Sequence, residues 1–160
     1  LKIINGIVKP DTGTIEIGQT IRIGYFSQEN EYMDDSMKVI DYVKEAGEYI
    51  QTSDGRITAS QMLERFLFEG AIQWSKIEKL SGGEKRRLYL LRILISAPNV
   101  LILDEVLGLV EQGIVSAEEV HELLGEASDS TELIFTGIKL CPEMMDWADD
   151  VYQITALKES

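Results

Sequence analysis

Apolar and polar residues alternate in blocks over the second half of the chain, and these blocks predict helices and strands in turn. A helix is predicted over residues 81–96, because an S-x-x-E capping pattern opens it and Ala-Pro-Asn follows it. The run VLIL at 100–103 is short, uninterrupted and apolar, which is typical of a buried parallel strand. Further helices are predicted at 116–124 and 142–148, and further strands at 133–135 and 151–156. We therefore predict an α/β fold, a parallel sheet with helices on both faces.

The first half of the chain shows strand-like alternation followed by helical spacing. Residues 14–18 and 20–26 alternate at period two around a Gly-Gln turn, which predicts a small antiparallel hairpin over 14–28. Residues 1–8 have the pattern of the end of a helix. Apolar residues then recur at helical spacing, which predicts one helix over 36–50 and a second over about 59–69.

Composition limits the class of protein. The 160 residues are 44% hydrophobic and 27% charged, which are ordinary values for one compact globular domain. No apolar run is long enough to span a bilayer, so no membrane partner is expected. The single cysteine, Cys141, permits no internal disulfide and indicates a reducing, cytoplasmic setting. The chain opens without methionine or a leader, as a piece of a longer protein would.

The negative charge is unevenly distributed. The net charge is −13, which argues against nonspecific binding of nucleic acid. Residues 1–105 carry 13 basic and 16 acidic residues, whereas residues 106–160 carry 2 basic and 12 acidic residues. An acidic C-terminal face is one interpretation, and a junction between two ancestries near Glu105 is the other. Composition leaves both open.

The string LSGGEKRR at 80–87 is the most specific chemical signal. Two glycines after Ser81 leave backbone N–H groups approachable at a helix start, where the helix dipole favours an anion such as phosphate. Ser81, Gly82, Gly83 and Glu84 are therefore candidate nucleotide-binding residues. An ordinary capped helix is the plain alternative, but it accounts for neither the double glycine nor the basic residues that follow.

This string resembles the signature motif of ATP-binding cassette proteins, and with KRR after it the ABC-F branch, whose soluble members pair two cassettes and act on ribosomes. The resemblance covers residues 1–105. IGYFSQ at 23–28 resembles the Q-loop, and VLILDE at 100–105 resembles a Walker B strand about twenty residues after the signature. The resemblance implies the fold of a P-loop NTPase, with a helical subdomain over residues 36–77.

The resemblance implies ATP and Mg²⁺ as cofactors. Asp104 would orient the magnesium shell, Glu105 would polarise the attacking water as the catalytic residue, and Gln28 would report on magnesium and the γ-phosphate. The implied partners are a second cassette, or another partner that carries a P-loop, and the ribosome.

The chain departs from the cassette pattern at three places. The 160 residues contain no G-x-x-x-x-G-K-[ST], and we expect that P-loop upstream of Leu1. Val-Leu-Gly at 106–108 stands where a cassette has its D-loop, and Thr136-Gly137 stands where a cassette has a histidine. Hydrolysis by the chain alone is therefore expected to be absent or very weak, and the signature face would serve a nucleotide held by a partner.

Residues 99–160 resemble a second family, the corrinoid adenosyltransferases, which use ATP to adenosylate cobalt in the cobalamin pathway. The matching strings are LILDEVLGLVEQGIVSAEEVHELL, ELIFTG and PEMMDWADDVYQITALK. That family follows Thr-Gly with Arg-Asn, where this chain has Ile138-Lys139. The two resemblances divide the chain into a cassette-like portion, 1–105, and an adenosyltransferase-like portion, 106–160, that share the Walker B strand.

Three functions follow as hypotheses. The first is a cassette-type ATP-binding module, the second is an adenosyltransferase, and the third is a catalytically silent scaffold or dimerisation domain. Self-association is expected in addition, because a parallel sheet without its P-loop strand has exposed edges.

Overall fold

The fold is built from short strands and helices in one chain. The computed structural model of the protein describes residues 1–27, 33–52, 55–111, 116–125, 130–139 and 142–154. The strands are β1 Ile23–Phe26, β2 Tyr49–Thr52, β3 Gly55–Thr58, β4 Val100–Leu103 and β5 Glu132–Phe135. The helices are α1 Val39–Ala46, α2 Ala59–Arg65, α3 Gly82–Ile95, α4 Val106–Glu111, α5 Ala117–Leu124 and α6 Pro142–Met145, with 3₁₀ segments at Gly70–Trp74 and Ile77–Lys79.

A three-stranded parallel sheet organises the molecule, in the order β1-β4-β5. Ile23 lies opposite Val100, and Val100 lies opposite Glu132, so the three carboxyl ends reach the same edge. The central strand β4 is the most deeply buried, with Leu101 and Leu103 fully enclosed. The prediction of a parallel sheet with helices is confirmed, and its central strand is the apolar run identified in the sequence.

Helix α3 packs on β1 and runs in the opposite direction. The Tyr89 ring lies 5.6 Å from the Phe26 ring, measured between centroids, and the Tyr89 hydroxyl donates to the Tyr25 carbonyl at 3.4 Å. One turn later, Ile93 lies so close to Gly24 that an added Cβ there would be 2.6 Å from Ile93 Cγ2. Because α3 rises about 1.5 Å per residue, its N-terminus extends about 10 Å past the carboxyl end of β1.

The segment between β1 and α3 forms a subdomain with its own polar anchor. Gln73 is only 3% exposed, and its amide donates to the Phe68 carbonyl at 2.8 Å. The Ser60 hydroxyl donates to the Gln73 Oε1 at 2.6 Å. Arg92 of α3 lies 4.3 Å from the Tyr42 ring of α1 and so joins this subdomain to the signature helix. Gln73, the buried polar side chain of this subdomain, is thus hydrogen-bonded at both its amide nitrogen and its amide oxygen, as burial requires.

The subdomain predicted over 36–77 is not helical throughout. Strands β2 and β3 form an antiparallel hairpin inside it, with Tyr49 opposite Thr58. Gly55 has φ +121°, which favours glycine, and Thr58 caps α2 with a capping box. The helical spacing that indicated α1 and α2 does not extend across these β-prone residues.

The predicted hairpin over 14–28 is wrong. A turn is present, since the Ile21 N–H donates to the Gly18 carbonyl at 3.0 Å, but residues 14–18 form no strand. Strand β1 pairs instead with β4, in parallel. Alternation alone does not make a strand, because each strand needs a neighbour for its backbone hydrogen bonds. The residues at 14–18 have no such neighbour among the described residues, and their isoleucines are about half exposed.

The two ends of the chain give one confirmation and one correction. The Ile7 N–H donates to the Lys2 carbonyl at 2.9 Å, the Gly6 N–H donates to the Ile3 carbonyl at 3.0 Å, and Gly6 has φ +73°. This is the hydrogen-bond pattern that ends a helix, as predicted for residues 1–8. A strand at 151–156 is wrong for 151–154, which are exposed and unpaired with the sheet, and 155–156 lie outside the described residues.

Within the described ranges, no helix has the length and apolar character that crossing a bilayer would require.

Candidate functional site

The carboxyl edge of the sheet gathers polar groups from all three strands around Asp104. The Asp104 backbone N–H donates to the Phe26 carbonyl at 2.8 Å, so the residue is fixed beside the end of β1. The Tyr25 hydroxyl donates to Asp104 Oδ2 at 2.5 Å, and the Thr136 hydroxyl donates to Asp104 Oδ1 at 2.8 Å. In parallel α/β sheets, ligands bind outside this edge. Asp104 therefore lies where the sequence predicted a phosphate and magnesium site.

Glu105 follows in an unusual backbone conformation. Its φ is +60°, a left-handed value that costs energy for a residue other than glycine. Its N–H donates to Thr136 Oγ1 at 3.0 Å, and the Gly108 N–H donates to the Glu105 carbonyl at 3.1 Å. The Thr136 carbonyl also accepts from the Leu107 N–H at 3.3 Å. Both the side chain and the backbone carbonyl of Thr136 therefore stabilise the tight turn that carries Glu105.

The signature residues form the predicted capping box at the start of α3. The Ser81 N–H and hydroxyl each donate to Glu84 Oε2 at 2.7 Å, and the Glu84 N–H donates to Ser81 Oγ at 3.3 Å. Gly82 and Gly83 are exposed, and a Cβ added to either would meet no atom within 4 Å. A large anion can therefore approach the backbone at this helix start.

This capping box gives a pH-dependent contribution to stability. Hydrogen bonds from the Ser81 hydroxyl and then the Ser81 N–H lower the pKa of Glu84. A lowered folded-state pKa stabilises the fold above the ordinary glutamate range, and that contribution is lost as pH falls through the folded-state pKa. Between about pH 5 and about pH 3, the melting temperature of the wild type should therefore fall more steeply than that of Glu84→Gln.

The matched control for this pH experiment is Glu64→Gln, which changes an exposed glutamate of α2. Its melting temperature should follow that of the wild type over the whole pH range. Equal slopes for the wild type and Glu84→Gln would contradict the assignment.

The structure brings some predicted site residues together and leaves others apart. Asp104 and Glu105 share the carboxyl edge with Tyr25 and Thr136, whereas the signature residues project beyond that edge at the start of α3. Gln28 lies outside the described residues. Sequence reasoning missed Tyr25 and Thr136 as site residues. The available signal was their position at the ends of strands, next to the Walker B-like strand.

The carboxylate of Asp104 fits a magnesium ion that arrives with a nucleotide. A carboxylate has about four acceptor positions, and Tyr25 and Thr136 use one on each oxygen. One position on each oxygen therefore remains for a water of the metal shell. Mg²⁺ usually keeps several waters and takes one or two carboxylates together with phosphates. Among the described residues, no group of three or more His, Cys, Asp or Glu side chains could hold a metal ion.

A cavity of about 410 Å³ lies beside this edge, in the C-terminal portion. Its walls combine apolar side chains, three acidic side chains and one lysine, namely Leu107, Val110, Glu111, Ala117, Glu118, Lys139, Pro142 and Glu143. Lys139 donates to Glu111 in an ion pair, and this hydrogen bond raises the pKa of Lys139. The volume is within the range of small-molecule sites.

Two kinds of known protein resemble this chain. The family model of the ATP:corrinoid adenosyltransferases BtuR/CobO/CobP matches residues 28–160. The chain belongs to this adenosyltransferase family. The match includes Asp104, Glu105 and Thr136, so it takes in the whole carboxyl-edge cluster apart from Tyr25.

Curated relatives of this adenosyltransferase family member are ATP-binding cassette proteins. The uncharacterized ABC transporter ATP-binding protein YfmR of Bacillus subtilis is 58% identical over 106 residues, which are 66% of this chain and 17% of YfmR. The energy-dependent translational throttle protein EttA of Escherichia coli is 33% identical over 104 residues, 65% of this chain and 19% of EttA. The chain thus spans less than a fifth of the length of either relative.

Solved structures with the same fold include an ATP-binding cassette and an ABC transporter. The dimeric ATP-binding cassette MJ0796, in a post-hydrolysis state with ADP and Pi, has a TM-score of 0.56 at 14% identity and covers 86% of this chain and 68% of its own. An inward-facing metal-chelate type ABC transporter has a TM-score of 0.53 at 16% identity and covers 91% and 58%. The adenosyltransferase family member therefore has the P-loop NTPase-like fold of ABC ATPase domains, with a three-stranded part of the sheet.

Proposed function

We propose that the chain is a cassette-type ATP-binding module of the ABC-F kind. The single observation that supports this best is the relation between α3 and the sheet. The capped helix start at Ser81 projects past the carboxyl edge, and Asp104 and Glu105 lie at that edge. The start of α3 and the acidic pair, which are both proposed to act on a nucleotide, therefore lie on the same side of the molecule.

The proposed roles follow from the chemistry of each group. Mg²⁺ would neutralise charge on the phosphates when bound, and Asp104 would hold a water of its shell. Glu105 would polarise a water for attack. The exposed backbone of Gly82 and Gly83 would receive the phosphates of a nucleotide whose P-loop belongs to a second cassette. A ribosomal partner is supported by the name of the relative EttA, a translational throttle.

The chain is expected to associate with a P-loop-bearing cassette only when Mg·ATP is present. Light scattering of the 160-residue chain mixed with a hydrolysis-deficient cassette measures this association. Gly83→Asp should weaken it about tenfold or more, because the new carboxylate faces the phosphates. The control Gly18→Asp makes the same change of charge at an exposed turn and should not change the association. A Cβ at Gly18 would lie 3.5 Å from Ile21 Cγ1, which is an ordinary contact.

Two results would contradict this proposal. Robust magnesium-dependent ATP turnover by the isolated chain would exclude a site completed in trans. Association that is the same with and without nucleotide would exclude the signature face as a phosphate site and favour a silent scaffold.

A second candidate function is adenosyl transfer from ATP to a reduced corrinoid. The family match over residues 28–160 supports it, and so does the cavity of about 410 Å³ beside the carboxyl edge. The absorbance spectrum of a reduced corrinoid, incubated with the chain and ATP, distinguishes the candidates. Formation of the adenosylated product favours this function, and an unchanged spectrum contradicts it.

A further inference from the structure

The Asp104 carboxylate is held by two hydroxyl groups from the two neighbouring strands. Tyr25 of β1 donates to Oδ2 at 2.5 Å, and Thr136, directly after β5, donates to Oδ1 at 2.8 Å. Neither donor was a candidate on sequence grounds, and the proposed roles of Asp104 and Glu105 use neither. We name this pair of donors the hydroxyl clamp.

Both members of the hydroxyl clamp are themselves fixed. Thr136 Oγ1 accepts from the Glu105 N–H at 3.0 Å, so its own hydrogen is directed to Asp104. The Thr136 N–H donates to the Leu103 carbonyl at 3.1 Å. Tyr25 is only 8% exposed, in a strand packed against α3. The clamp therefore restricts rotation of the Asp104 side chain from two directions.

We propose that Tyr25 and Thr136 are positioning residues that orient the Asp104 carboxylate for the metal of a bound nucleotide. This inference rests on the proposed ATP-binding function. Groups that hydrogen-bond a metal-facing carboxylate set its orientation, and their loss typically costs 10–100-fold in metal affinity. Thr136 has a second role, since its hydroxyl also receives the N–H of Glu105 and so couples the two acidic residues.

The first test measures the apparent Mn²⁺ affinity of the ATP-dependent association with the hydrolysis-deficient cassette, by light scattering at increasing Mn²⁺ concentrations. Tyr25→Phe and Thr136→Val should each weaken this Mn²⁺ affinity about 10-fold, while the association at saturating Mn²⁺ stays unchanged. Thr136→Ser keeps the hydroxyl and should retain the wild-type affinity. Tyr152→Phe removes a hydroxyl from an 85% exposed tyrosine and serves as the control. A purely structural effect would weaken the association at saturating Mn²⁺ as well.

The second test needs no ligand. Amide hydrogen exchange at Glu105 should accelerate in Thr136→Val and stay slow in Thr136→Ser, because only the serine keeps the acceptor for the Glu105 N–H. Unchanged exchange in Thr136→Val would overturn the clamp. Wild-type Mn²⁺ affinity in both Tyr25→Phe and Thr136→Val would overturn its positioning role.

Failure of the proposed function gives a different result. In that case the wild type itself does not associate with the cassette in the presence of Mn²⁺ and ATP, while the exchange of Glu105 still responds to Thr136→Val. The role of Asp104 toward magnesium, and with it the positioning role, would then be overturned.

Discussion

Replacing Phe66 by alanine is expected to lower the free energy of unfolding by about 3–5 kcal/mol. Phe66 is fully buried directly after α2, in the same core as the fully buried Phe68 and Ile77. The Phe66 N–H donates to the Met62 carbonyl at 3.2 Å, so the backbone at this position is held by the helix end. The surrounding side chains cannot easily collapse into the space that the ring leaves, and a cavity term adds to the lost burial.

The matched control for Phe66→Ala is its neighbour Leu67. This side chain is 54% exposed and its φ is +62°, a conformation that glycine adopts more easily than leucine. Leu67→Gly should therefore change the stability by no more than about 1 kcal/mol. Urea denaturation followed by tryptophan fluorescence measures both variants. Similar losses in the two variants would show that the subdomain is not organised around the Phe66 ring.

Local signals in the sequence were sufficient for the signature helix and the strand after it. The capping box at Ser81 needs only residues that are three apart, and a proline limits the other end of α3. The strand β4 is a continuous apolar run, because both of its faces are covered. Elements determined by such short-range rules lie within a residue or two of where the pattern predicts them.

Pairing of distant segments is not contained in these local patterns. The alternation at 14–26 indicates extended chain, but it does not say that β1 pairs with β4 rather than with 14–18. Register and partner choice depend on which faces other elements cover, here the packing of Tyr89 of α3 on β1. The wrong hairpin and the missed hairpin of β2 and β3 have this common cause.

Only part of the candidate site was predictable, because local patterns place residues along the chain but do not give the order of the strands. Asp104 and Glu105 follow an apolar run, so their place at the end of a strand could be predicted from the chain order. Tyr25 and Thr136 reach Asp104 only because β1 and β5 flank β4 on its two sides. The sequence places them about 80 and about 30 residues from Asp104, and only the strand order makes them neighbours.

Substituting Gly137 by alanine is expected to cost about 2–3 kcal/mol of stability, by overpacking. A Cβ at this position would lie 2.4 Å from Leu107 Cβ and 3.3 Å from Leu107 Cα. Leu107 cannot simply move away, because its N–H donates to the carbonyl of Thr136, the residue before the glycine. The strain therefore falls on the turn that carries Glu105.

The control for Gly137→Ala is Gly82→Ala in the first turn of α3, where a Cβ would meet no atom within 4 Å. This change should leave the stability equal or raise it by up to about 1 kcal/mol, because alanine favours the helix. Urea unfolding measures both, and the exchange of the Glu105 amide shows where the strain lies. If Gly137→Ala is as stable as the wild type, Leu107 and Thr136 are not held together as described. If the stability of Gly137→Ala falls while the Glu105 amide stays protected, the strain lies outside the turn that carries Glu105.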